Sequence, residues 1–510
     1  MLNNLAESTS PLLKIVPDFQ VSPNRDNYFH FDEPSITYLA DGGFVIVYKK
    51  DFFGGSKDIY GQRYNSDGTT QGQAFLVNAN PVSRDSSLQI ATLKNGDFVV
   101  TWVFEYADTS YILGQRFKTD GTKIGSEFRV STQNQSRDQL IASLSNGGFV
   151  VIWVNQDSDN STYNIYGQRY DADGVKVGQA FQINTNTYLN PTQASVAALA
   201  DGGFLFTWQE QYYSLYGQRY DANGVKVGQA FQIGDNSDYS SSFVTSLADG
   251  RYLITWSNES DSSSVYYGQL YNLDGSLSGD TFVFNLDIPV TESDNDISSI
   301  TALPNGGFLV NTYDLYTQEY DANANRVGQA VQINSDRGYP DNLSVTSLTN
   351  GGYAAVWVSS NINAAIFGAG DAGSIAFSQT SYSVGEDGTP VTVITLIRTG
   401  GSDGDVSVTL TPSDGTATAS DDYDNNAIVV SFNIGETSKT VTIPLVNDNL
   451  IEADETINLT LSNPTGNVTL GSETNATLTY QKNHLLGQEQ NYYFLLIPIA
   501  WSSLTYQLHL

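Results

Sequence analysis

Residues 166–184 read YGQRYDADGVKVGQAFQIN, and fifty residues on, 216–234 read YGQRYDANGVKVGQAFQIG. The copies differ at two of nineteen positions, Asp173/Asn223 and Asn184/Gly234. A segment copied at a fixed interval is one unit of a repeat array: such a unit cannot bury its apolar face alone, so it stacks on its neighbours. Within the copy the alternation is that of a strand. Tyr166, Gln168 and Tyr170 fall on one face, Gly167 and Arg169 on the other.

The copy belongs to a longer unit. A Leu precedes an aromatic by five residues at Leu39/Phe44, Leu93/Phe98, Leu144/Phe149, Leu199/Phe204, Leu247/Tyr252, Leu303/Phe308 and Leu348/Tyr353. Each pair brackets an Asn-Gly or Asp-Gly dipeptide, the chemistry of a tight hairpin turn. The strand after each turn, such as 149–153 (FVVIW), is apolar on both faces, as a strand covered on both sides must be. A polar loop follows, then the Gln-bearing strand, a second turn and a last strand such as 180–184 (AFQIN). Apolar residues keep no helical period, and Gly, Asn, Asp and Ser interrupt every run. Four short strands in about fifty residues are the signature of a propeller blade.

The seventh unit lacks its fourth strand, and the N-terminus carries an orphan copy of it, 18–22 (DFQVS). The expected fold is therefore all-β: a seven-bladed β-propeller of four-stranded blades over 18–368, after an extension over 1–17 and closed into a ring by the N-terminal strand. Closure leaves no exposed edge. An open array, or a ring of another number, is the alternative.

Recurring residues read as scaffold. Trp102, Trp153, Trp208, Trp256 and Trp357 are expected to pack between blades, with the Gln series (62, 115, 168, 218, 269, 318) hydrogen-bonding there. Arg63, Arg116, Arg169 and Arg219 read as a stacking or ion-pair feature. Asp171-Ala-Asp173-Gly174 mimics the start of a calcium loop, but no downstream carboxylate completes it and Asp173 becomes Asn223 in the next copy. The turn itself demands these residues.

Charge excludes several partners. Lys and Arg number 23 against 55 Asp and Glu, a net charge of −32. Such a surface repels nucleic acid and anionic lipid and is compatible with divalent cations. With no cysteine, disulfides and thiolate metal sites are out. The first residues hold no apolar core of the length a secretory signal needs. The apolar run 492–500 is shorter than the roughly 20 residues of a membrane-spanning helix. Three histidines and no G-x-S-x-G motif at a fitting strand–helix turn leave hydrolase triads unsupported.

At about Gly368 the repeat stops. Residues 369–373 read as a linker, and 374–482 turn rich in Thr and Val, with alternating strands over 391–397, 406–410, 428–432, 439–445, 457–461 and 476–480, as in an immunoglobulin-like β-sandwich. Carboxylates cluster at strand ends: Glu386-Asp387, Asp421-Asp422, Asp448, Glu452, Asp454 and Glu455. Ca²⁺ takes six to eight oxygens at about 2.3–2.6 Å, which several acidic loops can supply. The runs SVGEDG around Glu386, GTATASDDY (415–423) and NDNLIEADET (447–456) resemble the Calx-beta domain, the module of sodium–calcium exchangers and an integrin beta chain, common too in bacterial extracellular proteins. That resemblance implies calcium ligands at Glu386, Asp422, Asp448 and Glu452. The family usually ends in consecutive aspartates; here 476–480 is followed by Gln481-Lys482-Asn483, so part of the shell is missing. The aromatic, apolar tail over 483–510 reads as a frame-altered terminus.

The expected function is a non-enzymatic, extracellular or cell-surface calcium-binding protein of interaction or adhesion type, whose propeller meets a protein or glycan partner. A glycan-active enzyme using carboxylates in the propeller's central opening, or a structural fragment of a larger exported protein, are the alternatives.

Overall fold

The protein is described from a computed structural model. It describes residues 13–481 except 23–28, 53–56, 80–86, 107–108, 157–161, 185–193, 211–213, 235–238, 261–262, 285, 287–295, 335–340, 350, 360, 369, 371, 386–390, 447–452 and 467. Two compact units result, the first holding the repeat up to Ala372 with Gly401–Asp405 and Asn433–Gly435, the second holding the rest of the chain from Gly373.

The described part of the repeat forms seven antiparallel four-stranded sheets. In the third, Ser136–Ser143, Phe149–Gln156, Tyr163–Tyr170 and Lys176–Gln182 pair in that order. The second strand is buried on both faces because each face serves a different core. Phe149, Val151 and Trp153 pack with Leu93, Val99 and Val103 of the preceding sheet. Val150 and Ile152 pack with Phe204, Phe206 and Trp208 of the next. The Trp series is thus interlayer packing, as expected.

The Gln series is not. Gln168 Nε2 donates to the carbonyls of Arg169 at 2.9 Å and of Val177 and Gly178 at 3.4 Å, all in its own sheet. The register between third and fourth strands slips between Gly167 and Arg169. A slip leaves backbone carbonyls without ladder partners, and the Gln amide fills them. Gln115, Gln218 and Gln318 repeat the arrangement. These amides therefore bond within each blade, not between blades. The arginines do reach outward: Arg116 Nη2 donates to Ala172 O of the next sheet at 2.6 Å, and Arg169 likewise meets Ala222 O. Arg63–Asp41 and Arg219–Asp201 are ion pairs at 2.8 and 2.6 Å.

Gly167 is required by a close approach. A Cβ there would lie 2.7 Å from the Phe181 ring on the fourth strand. Freed of that clash, Phe181 leans onto the stacked Phe204–Tyr220 pair of the next sheet, 5.3 Å from the Tyr220 ring. The sixth sheet makes the reciprocal exchange. Thr317 stands in the Gly position and faces the smaller Val331, which conserves volume.

The seventh sheet takes its fourth strand from the N-terminus. Leu13–Gln20 pairs antiparallel with Ile362–Gly368. Val21 N donates to Ile362 O at 2.8 Å, and Ile362 N donates to Ser22 Oγ at 3.2 Å. Asn184 does the same for Ile165 N at 2.8 Å, so Ser22 occupies the Asn184 position. Phe19 lies 5.4 Å from Tyr64 and repeats the role of Phe181. The strand begins at Leu13, five residues earlier than the DFQVS match indicates, because its partner extends to Gly368. Leu348, Val356 and Ile366 of the seventh sheet share a core with Ile36, Phe44 and Ile46 of the first. Ser344 Oγ and Thr346 Oγ1 accept from the first sheet's Ile36 N and Tyr38 N at 3.3 and 3.2 Å.

The second unit holds two sheets. One orders Ser438–Pro444, Val391–Thr399, Ser374–Phe377 and Thr469–Leu470. The other orders Ser381–Gly385, Asn475–Gln481, Glu455–Thr465, Val406–Asp414 and Ile428–Phe432. Alternate residues face inward: Val406, Val408 and Leu410 on one strand, Ile457, Leu459 and Leu461 on its neighbour, all buried. The short strands 374–377, 381–385 and 469–470 carry too little alternation to stand out in the sequence. Among the described residues no helix is long and apolar enough to cross a membrane.

Candidate calcium site

The segment GTATASDDY follows the strand Val406–Asp414 and folds back on the start of Glu455–Thr465. Gly415 allows it: a Cβ there would sit 2.4 Å from Thr456 O. Thr416 N then donates to Thr456 O at 3.0 Å, and Thr456 N returns a bond to Thr416 Oγ1 at 2.8 Å. Ser420, at φ 73°, turns the chain. Asp422 closes the loop: its N–H donates to Thr418 O at 3.0 Å and its Oδ2 accepts from Thr418 N at 2.9 Å. The residue is buried.

Tyr423 anchors the loop from below. It is fully buried, and its hydroxyl donates to Asp414 Oδ1 at 2.7 Å, an oxygen that also accepts from Ala419 N at 2.9 Å. Burial, reinforced by the Asp414 carboxylate, pushes the Tyr423 phenol well above its ordinary range, so it remains a donor at physiological pH. Asp414 was not singled out in the sequence. Its signal is the acid directly before the glycine that lets the loop turn back.

The same end of the unit gathers the flanks of the other acidic segments. Tyr423 pairs with Leu445, and Val446 N donates to Asp422 O at 2.8 Å. Tyr480 Oη donates to Val446 O at 3.0 Å. Gly385 pairs with Gln481, Glu455 with Tyr480, and Asp414 with Ile457. Gly385 immediately precedes Glu386, Val446 stands two residues before Asp448, and Glu455 stands three after Glu452. Glu386, Asp448 and Glu452 themselves lie outside the described residues; Asp422 is the described member of the set. Among the described residues no three carboxylates or imidazoles meet as a metal cluster. The donor set is all hard oxygen, the kind Ca²⁺ takes.

The acidic turns of the repeat behave differently. Asp171 Oδ1 accepts from Asp173 N and Val175 N at 2.9 and 2.8 Å, and Asp221 repeats this in the next copy. Side-chain and backbone hydrogen bonds from Thr69, Thr122 and Ser276 hold Asp67, Asp120 and Asp274 below the ordinary carboxylate range. These carboxylates serve their own turns.

Residues 369–483 match the family model of the Calx-beta domain. Among solved structures, the apo-form Calx CBD1 domain is similar at 26% identity over 22% of this chain and 96% of its own, with a TM-score of 0.21. A protein of unknown function from Dyadobacter fermentans is similar at 11% identity over 70% of this chain and 98% of its own, TM-score 0.42. An alpha-L-arabinanase from Penicillium chrysogenum is similar at 14% identity over 55% of this chain and 92% of its own, TM-score 0.40. No curated protein matches.

Proposed function

We propose that this is a non-enzymatic, extracellular or cell-surface binding protein with two working parts. A closed seven-bladed β-propeller, residues 13–368, is the scaffold that meets a protein or glycan partner. The Calx-beta domain is its calcium module, with Asp422, Glu386, Asp448 and Glu452 as ligands. The observation that carries this reading is the convergence of Gly385, Asp422, Val446 and Glu455 at one end of the sandwich, each at or beside an acidic segment. Ca²⁺ would neutralise carboxylates that otherwise repel one another, and so hold the loops. The closed ring is supported by the pairing of Leu13–Gln20 with Ile362–Gly368 and by the core shared between seventh and first sheets.

The test is calorimetric titration of the full chain with Ca²⁺. A saturable heat is expected, with stabilisation of about 2.7 kcal/mol at a hundredfold excess over Kd. Asp422→Asn keeps an oxygen for Thr418 N but loses the charge, and is expected to abolish or weaken the heat. Neither heat nor a rise in melting temperature at millimolar Ca²⁺ would sink the reading.

A further inference from the structure

A cavity of about 460 Å³ lies where the first strands of the first, second and seventh sheets meet. Its walls carry Glu33, Ser35, Ser87, Gln89, Asn342 and Ser344, with Pro34, Leu88 and Leu343 between them. Glu33 pairs with the ammonium of Lys49, a side chain only 1% exposed. Repetition identifies scaffold in this chain, and this pair is not repeated. Where the first sheet has Lys49, the others have Val103, Val154, Gln209, Ser257, Tyr313 and Val358. A buried ion pair costs desolvation that a well-packed apolar residue avoids, so stability does not explain it. The left-handed backbone of Glu33 at φ 47° and Asn342 at φ 59° recurs at Asp138, φ 51°, in the equivalent bulge of the third sheet, so it belongs to the repeat and not to the cavity.

We propose that this cavity binds a neutral saccharide. Glu33, held by Lys49, offers a fixed charged acceptor to sugar hydroxyls, and such charge-assisted bonds are the strong ones. Gln89, Asn342 and the serines add neutral donors and acceptors, and Pro34, Leu88 and Leu343 offer apolar contact to the C–H face of a ring. Other ligand classes fit less well. The cation here is already engaged by Glu33, and a net charge of −32 disfavours phosphates. One carboxylate is too few for a hard cation, and a lipid would strand the polar walls. This deepens the binding reading of the repeat sheets and is independent of the calcium module.

The experiment titrates the full chain with cellotriose, maltotriose and chitotriose, with sialyllactose as the anionic control, in Ca²⁺ and again in EDTA. At least one neutral trisaccharide is expected to bind in both buffers. Glu33→Gln or Gln89→Leu is expected to weaken it about tenfold, the effect of one lost hydrogen bond. Gln89→Leu leaves the ion pair intact, so a folding defect in Glu33→Gln does not decide the outcome. The proposal is overturned if no neutral trisaccharide binds at millimolar concentration, if sialyllactose alone binds, or if both variants bind like the parent. Failure of the calcium titration leaves these outcomes unchanged, since binding is also read in EDTA.

Discussion

Deletion of residues 1–22 is expected to lower the melting temperature by about 10 °C. The segment supplies the fourth strand of the seventh sheet. Its loss removes several backbone hydrogen bonds, worth about 1 kcal/mol net each. It also strips Val16 and Phe19 from the core shared by the seventh and first sheets, at about 1.5–3 kcal/mol for each side chain if fully buried. The sum is on the order of 5 kcal/mol. The cost falls on the seventh sheet, because the edge of Ile362–Gly368 is left unpaired. Differential scanning calorimetry reads the result. A deleted chain that melts with the parent would mean that the strand does not close the ring.

Trp153→Ala is expected to cost about 3–5 kcal/mol, read as a lower denaturant midpoint at unchanged slope. Trp153 is fully buried between the second and third sheets and stacks on Tyr166 at 5.9 Å. Its indole N–H has no hydrogen-bond partner among the described residues, so the residue is present for volume rather than polarity. Trp153→Phe should therefore recover much of the loss. A Phe variant as weak as the Ala variant would show that the indole N–H matters after all.

The repeat made the fold legible because each blade solves the same packing problem with the same residues. Leu144 before the turn, Phe149 after it and Trp153 on the doubly buried strand are visible as spacing alone, whereas the fit of Gly167 beneath Phe181 appears only in the structure. Even the N-terminal strand could be recognised from five residues, since Phe19 and Ser22 repeat the parts played by Phe181 and Asn184. Where the Gln amides go was not legible. Alternation places Gln168 on a face but says nothing of the register slip beside it, and that slip creates the carbonyls it satisfies. The Glu33–Lys49 pair was equally hidden. Its partners are sixteen residues apart on two strands, and it becomes conspicuous only when Lys49 is set against the six residues that replace it.

In the second unit the acidic segments were legible as composition, and the common end at which their described flanks meet follows from the strand order. Asp414 was not, because its role depends on a buried hydroxyl nine residues away. The contrast with Asp171 is instructive. Its turn resembles a calcium loop in spelling, yet its carboxylate oxygen is taken by two amides of its own turn.

The central claim is that cation chemistry belongs to the acidic loops beyond Gly373 and not to the turns of the repeat. Terbium luminescence tests it most directly, because Tb³⁺ takes the same hard oxygen ligands as Ca²⁺ and is sensitised by nearby tyrosines such as Tyr423. The full chain is expected to give emission that Ca²⁺ displaces, that Asp422→Asn abolishes and that Asp173→Asn leaves intact. Emission that survives Asp422→Asn and disappears with Asp173→Asn would contradict the claim.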